Sequence, residues 1–110
     1  MGTPFYITTP IYYANGDPHI GNTYTTTYVD TLARYHRSLG EETFFLTGMD
    51  EYGEKVAATA AQQGLEPKQL VDRVAGVFQS TWKELGFTFD RFIRTTDEDH
   101  RRAVQHFFQS

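Results

Sequence analysis

Two short runs of aromatic and β-branched residues, Pro4 to Thr9 and Thr43 to Thr47, flank a stretch of helical period, and this arrangement limits the fold more than any other feature. The first run passes through Pro10 into Ala14-Asn15-Gly16-Asp17-Pro18, a cluster of turn formers, so it reads as a buried strand followed by a loop. From about His19 the pattern turns helical, with Val29, Leu32, His36 and Leu39 on one stripe and Gly40 as a stop signal. Strand, helix and strand in that order form a β-α-β unit, whose strands pair in parallel through a right-handed crossover. The expected class is α/β, a parallel sheet with flanking helices.

After a loop around Gly48 to Gly53 come an Ala-rich helix that Gly64 ends and a longer helix opened by Pro67. The second keeps Leu70, Val74, Phe78, Trp82 and Leu85 on one core-facing stripe. Phe92-Ile93-Arg94-Thr95 reads as a third short strand. Thr96 with Asp99 resembles a capping box that starts a last amphipathic helix through Val104, Phe107 and Phe108. That helix stops at Gln109-Ser110 without a C-cap, so the end reads as a cut. No repeat, low-complexity segment or linker interrupts the pattern, and 110 residues suit one domain or part of one.

Composition narrows the class. Hydrophobic residues make up 39% and charged residues 22%, and no apolar run approaches the roughly 18 residues that span a bilayer. The Met-Gly start lacks the Ser or Thr that myristoylation wants at the sixth position, where Tyr6 stands, and no secretory apolar segment follows. With no cysteine there is neither a disulfide framework nor a thiolate metal site, and the cytoplasm is the default location. A net charge of −4 argues against a surface that is wholly a nucleic-acid footprint.

In an open parallel sheet, ligands bind beyond the carboxyl ends of the strands, which directs the search to the loops after Thr9 and Thr47. The stretch Gly16 to Thr23 approaches phosphate-loop spacing, but its lysine is missing and Pro18 removes a cradling N–H. Another mechanism suits the same residues. A helix that begins near His19 aims its unpaired N–H groups and positive end at the crevice, a setting for a polyphosphate; His19 adds a donor and Gly21 lets a planar base approach the backbone.

The stretch from Phe5-Tyr6-Ile7-Thr8-Thr9-Pro10 through Ile11-Tyr12-Tyr13-Ala14-Asn15-Gly16-Asp17-Pro18-His19-Ile20-Gly21-Asn22 to Thr26 resembles the start of methionyl-tRNA synthetases, including the His-Ile-Gly-His signature of class I enzymes. Phe45-Leu46-Thr47-Gly48-Met49-Asp50-Glu51-Tyr52-Gly53 and Phe92-Ile93-Arg94-Thr95-Thr96 match the same family in order and spacing. The resemblance implies a Rossmann-like sheet, the first half of a class I catalytic domain, with residues 1–110 ending before an inserted acceptor-end domain. It implies ATP-dependent activation of methionine to an adenylate and, in a complete enzyme, transfer to tRNA, with ATP as substrate and Mg2+ beside it. His19 and Asn22 would be catalytic, and with Gly21 would bind ATP, His19 stabilising charge at the α-phosphate. Asn22 stands where the signature has its second histidine, so a weaker phosphate contact is expected. Ile11 and Tyr13 resemble walls of the methionine pocket, and Asp50 the carboxylate that receives the ammonium group. Tyr52 replaces a residue that is often histidine. The family's lysine-rich pyrophosphate loop and zinc-binding cysteines do not occur in this segment, and activity of this chain alone is expected to be low. A half sheet would leave an edge open to self-association.

Plainer readings stand beside these. His19 could simply cap or pack; His36 is read as a satisfied core residue, and His100 and His106 as surface positions. Glu51 is read as a helix cap, and Tyr12 either as pocket wall or as core. Arg101 and Arg102 beside Glu98 and Asp99 read as a solvated face. The alternative to an enzyme is a stand-alone module that binds ATP or methionine without turnover. A dinucleotide-binding oxidoreductase is disfavoured because no Gly-x-Gly-x-x-Gly follows either strand.

Overall fold

Strand β1 (Pro4–Thr8) runs into a second, two-residue strand, β2 (Tyr12–Tyr13), before helix α1 (Ile20–Ser38) crosses to the central strand β3 (Glu42–Asp50). The computed structural model describes residues 3–109; Met1, Gly2 and Ser110, and with them the Met-Gly start and the final residue, lie outside the described residues. Helices α2 (Glu54–Gln62) and α3 (Pro67–Glu84), strand β4 (Arg91–Arg94) and helix α4 (Glu98–Gln109) complete the order.

All strand pairs are parallel. Leu46 pairs with Thr8 and with Arg91, and Met49 pairs with Tyr12 and with Arg94, so β1 and β2 share one edge of β3 and β4 takes the other. The backbone agrees: the Leu46 and Asp50 carbonyls accept from Thr9 and Ala14, while those of Phe45 and Met49 accept from Asp90 and Thr95. β1 and β2 thus behave as one strand interrupted around Pro10, which has no N–H for the ladder.

Two boundaries differ from the sequence reading. β2 falls within what reads as loop. β3 continues three residues past Thr47, because Gly48 serves the strand rather than ending it: a Cβ there would sit 2.0 Å from the Ile93 carbonyl oxygen, so only glycine lets β4 close in.

Strand alternation sends Phe45, Thr47 and Met49 to one face, where all three are fully buried, and the helices pack there. One cluster joins Met49 and Tyr12 to Val56 and Ala60 of α2 and to Leu70, Val74, Phe78 and Trp82 of α3. A second joins Phe45 to Val29 and Ala33 of α1. Full burial of Leu70 and Phe78 contributes about 1.5–3 kcal/mol each. Leu85 leaves the expected stripe as the exposed C-cap of α3.

The inner face of α1 also departs from expectation. It consists of Thr26, Val29, Asp30 and Ala33; Leu32 and His36 are half-buried and Leu39 is exposed. Polar Thr26 and Asp30 occupy core positions because both find partners there, which a hydrophobicity pattern does not register. His36 stacks on Phe5 and pairs with Glu41. The opposite face of the sheet carries Tyr6 and Phe44 in the open, and no α4 residue is buried: Phe107 and Phe108 lie 75% and 80% exposed, so that helix's apolar side does not pack on the core. The expected capping box is not formed either, since the Thr96 hydroxyl donates to Glu51 instead.

Candidate active site

His19 is the N-cap of α1. Its backbone is extended, its Nδ1 accepts from the Gly21 N–H at 3.1 Å, and its own N–H donates to Asn22 Oδ1 at 3.2 Å. The signature residues therefore close the first turn on each other, a reciprocal cap. Gly21 makes this possible, because a Cβ there would lie 2.9 Å from His19 Cε1. An Nδ1 that accepts leaves Nε2 as the ring nitrogen free to donate, on an exposed side chain. His19, Asn22, Tyr13, Asn15 and Gly16 line a small pocket of about 120 Å³, with exposed Asp17 on its rim.

A neighbouring groove of about 170 Å³ is lined by Ile11, Tyr13, Asn22 and Thr25. Ile11 is 44% and Tyr13 71% exposed, whereas Tyr12 between them is 5% exposed and stacks on Phe78 at 4.9 Å. Tyr12 is thus packed in the core, and it also contributes to the floor of this groove.

Asp50 is the register partner of Tyr13, on the face away from the helices. Its main chain is held on one edge by the Ala14 N–H and flanked on the other by Thr95, whose N–H bonds the Met49 carbonyl and whose hydroxyl accepts from the Glu51 N–H. Among the described residues the Asp50 carboxylate accepts only a long 3.4 Å bond from the Tyr52 N–H, and it borders a groove of about 340 Å³ with Tyr52, Thr95, His100, Arg101 and Val104. Asp50 and His19 do not share a pocket; Tyr13 connects them.

Glu51 corrects the helix-cap reading. α2 is capped by Gly53, and the Glu51 side chain is fully buried, accepting from Arg94 Nε at 2.7 Å and from the Thr96 hydroxyl. Arg94 also reaches Asp72 of α3 at 2.6 Å. Burial alone would lower the guanidinium's pKa, but Asp72 and Glu51 more than offset it and hold it above the usual value. Arg94 stands in the third family block, Phe92 to Thr96, with no role assigned from sequence; an arginine next to the apolar pair Phe92-Ile93 of a short strand was the available signal.

Four buried hydroxyls were also missed. Thr9 and Thr47 meet at 2.7 Å, Thr47 donates to the Tyr12 hydroxyl at 2.9 Å, Tyr12 meets Thr26, and Thr26 donates to the Asn22 carbonyl at 2.8 Å. Threonines within apolar runs were the hint. Among the described residues no group of three His, Cys, Asp or Glu side chains could hold a metal ion, and no helix is long and apolar enough to cross a membrane.

Comparison with known proteins follows the same residues. The family model described as class I tRNA synthetases (M) matches residues 5–110. The chain is 55% identical to a methionine–tRNA ligase of Thermotoga maritima over 94% of its length, and 52% identical to one of Ureaplasma parvum over the same share. It spans only 16% and 20% of those relatives. A solved structure of Mycobacterium tuberculosis methionyl-tRNA synthetase in complex with methionyl-adenylate superposes with a TM-score of 0.95 at 43% identity, over 97% of this chain and 21% of the other.

Proposed function

Given that the chain belongs to the methionyl branch of the class I tRNA synthetases, we propose that it carries the ATP- and methionine-binding amino-terminal part of the catalytic domain. The observation that carries this reading is the cap of α1. His19 is held by Gly21 and Asn22 so that its Nε2–H is presented at the positive end of a 19-residue helix, beyond the carboxyl ends of the strands.

In the proposed reaction the methionine carboxylate oxygen attacks the α-phosphorus of ATP, the bond to the β,γ-phosphates breaks, and pyrophosphate leaves with the electron pair. His19 donates to the phosphate oxygen on which charge builds. Gly21 and Asn22 complete the nucleotide site. The Asn22 side-chain Oδ1 already accepts from the His19 N–H, which leaves the side-chain NH2 for the nucleotide. Asp17 on the rim adds negative charge that a magnesium-bound polyphosphate tolerates better than a bare one, so Mg2+ enters with the nucleotide. Asp50 receives the ammonium group, and Ile11 and Tyr13 border the thioether. Transfer to tRNA is the proposed outcome in a full-length relative, and the cytoplasm the proposed setting.

Titration of the chain with Mg-ATP in a calorimeter tests this. His19→Ala should bind Mg-ATP about tenfold more weakly, the scale of a lost charge-assisted hydrogen bond. Equal affinity in the two proteins would remove His19 from the site.

A further inference from the structure

The four buried hydroxyls form one directed chain. Thr26 donates to the Asn22 carbonyl, so its oxygen is left to accept from Tyr12; Tyr12 then accepts from Thr47, and Thr47 from Thr9. Each hydroxyl has one proton and each link uses it once. Thr47 and Thr26 are completely buried and Thr9 is 3% exposed, where valine and phenylalanine of similar shape would fill the space without burying a polar group. A helical threonine bonding the carbonyl four residues back is common. The unusual feature here is that the same hydroxyl also ties the helix to a strand on which ligand-facing residues sit.

We propose that Tyr12 is a positioning residue: its hydroxyl fixes the amino-terminal turn of α1 at a set distance from β2. The groove between Ile11-Tyr13 and Asn22-Thr25 is the joint that the Tyr12–Thr26 bond spans. The Tyr12 ring is clamped from behind by Phe78 and Trp82, and β2 is clamped to β3, so the hydroxyl is a fixed point and α1 is the element it locates. The phenolic oxygen thus helps to set the width of the groove and the place of the cap that holds His19 and Asn22. This rests on the nucleotide reading of the α1 cap given above.

The test pairs a ligand-free readout with a ligand-dependent one, in the full chain. Tyr12→Phe keeps the stacked ring and removes the link. Hydrogen exchange of the first-turn amides of α1, the Thr23 N–H among them, should quicken about 5–10-fold, and Mg-ATP should bind about 5–10-fold more weakly, the scale of one internal hydrogen bond. Thr26→Val should do the same, Thr26→Ser should restore both values, and the double variant Tyr12→Phe/Thr26→Val should be no worse than either single one. Leu70→Ala, at a buried core residue that lines neither the His19 pocket nor the neighbouring groove, serves as control: it lowers the melting temperature without moving Mg-ATP affinity at temperatures where the chain is folded. Unchanged exchange in Tyr12→Phe, or fully additive effects of the two substitutions, would overturn the proposal. If the unmodified chain binds no Mg-ATP, the functional reading falls, and the exchange measurement alone decides the positioning role.

Discussion

Asp50 and Glu51 share a charge and a peptide bond, yet the alternation of β3 sends them to opposite faces. Glu51 turns toward α3 and is neutralised by Arg94; Asp50 turns to the open face with its carboxylate almost unused. Their substitutions should therefore separate function from stability. Asp50→Asn is expected to weaken methionine binding by about 1.5–3 kcal/mol, the range for a hydrogen bond to a charged group, with Mg-ATP affinity and melting temperature nearly unchanged. Calorimetry showing normal methionine binding but lost Mg-ATP binding would reverse that placement. Glu51→Ala leaves Arg94 with Asp72 alone and takes the acceptor from the Thr96 hydroxyl, and should destabilise the fold by about 1.5–3 kcal/mol, the range for a lost hydrogen bond to a charged group. Urea unfolding followed through Trp82, the single tryptophan, measures it.

α1 is tied at its amino end and midway by polar groups rather than by a wide apolar stripe. Its amino end is set by the His19 cap and the hydroxyl chain. Midway, Asp30 accepts from the Thr88 N–H at 2.8 Å, the Thr88 hydroxyl at 2.6 Å and Arg34 Nε at 2.7 Å, which binds the helix to the segment leading into β4. Burial alone would raise the Asp30 pKa, but the bonds from Thr88 and Arg34 outweigh it and hold the carboxyl below its ordinary value. A folded-state value below the unfolded one contributes stability that is complete above the unfolded pKa and is lost as pH falls through the folded one. Asp30→Asn should therefore cost about 1–3 kcal/mol at pH 7 and lose less further stability than the unmodified chain on acidification from pH 5 to pH 2. Parallel acid-stability curves for the two proteins would show that this carboxylate is not a main acid-sensitive tie.

The whole molecule is flat, 49 × 39 × 17 Å, with a radius of gyration of 15.7 Å against about 13 Å expected for a compact chain of this length. Helices cover one face of the sheet, whereas parallel sheets are normally covered on both. Among the described residues β1 pairs only with β3, and its outer edge carries no charged side chain. The Thr9 N–H points to β3, so alternation aims the Tyr6 N–H outward. We propose that this edge pairs with a second copy at high concentration. Tyr6→Pro removes an outward donor and spares the ladder to β3. It should reduce association in sedimentation velocity without unfolding the chain, and an unchanged sedimentation profile would exclude this edge.

The β-α-β unit, the α3 core stripe through Trp82 and the helix start at His19 were legible in the sequence, since each depends on local period, turn chemistry or capping. The family blocks pointed to Ile11, Tyr13, His19, Gly21, Asn22 and Asp50 as site candidates, and the fold gathers all of them near the carboxyl ends of β2 and β3 and the start of α1. Tertiary structure alone decided the length of β3 past Gly48, the inward turn of Thr26 and Asp30, and the partners of Glu51. It also decided that the aromatic side of α4 stays uncovered. α4 stays bare because none of the described elements packs on its aromatic side. The physical reason is common to the first three: a polar or glycine residue takes a buried place when a partner distant in sequence satisfies it or needs the room. Local pattern does not specify where in the chain that partner lies.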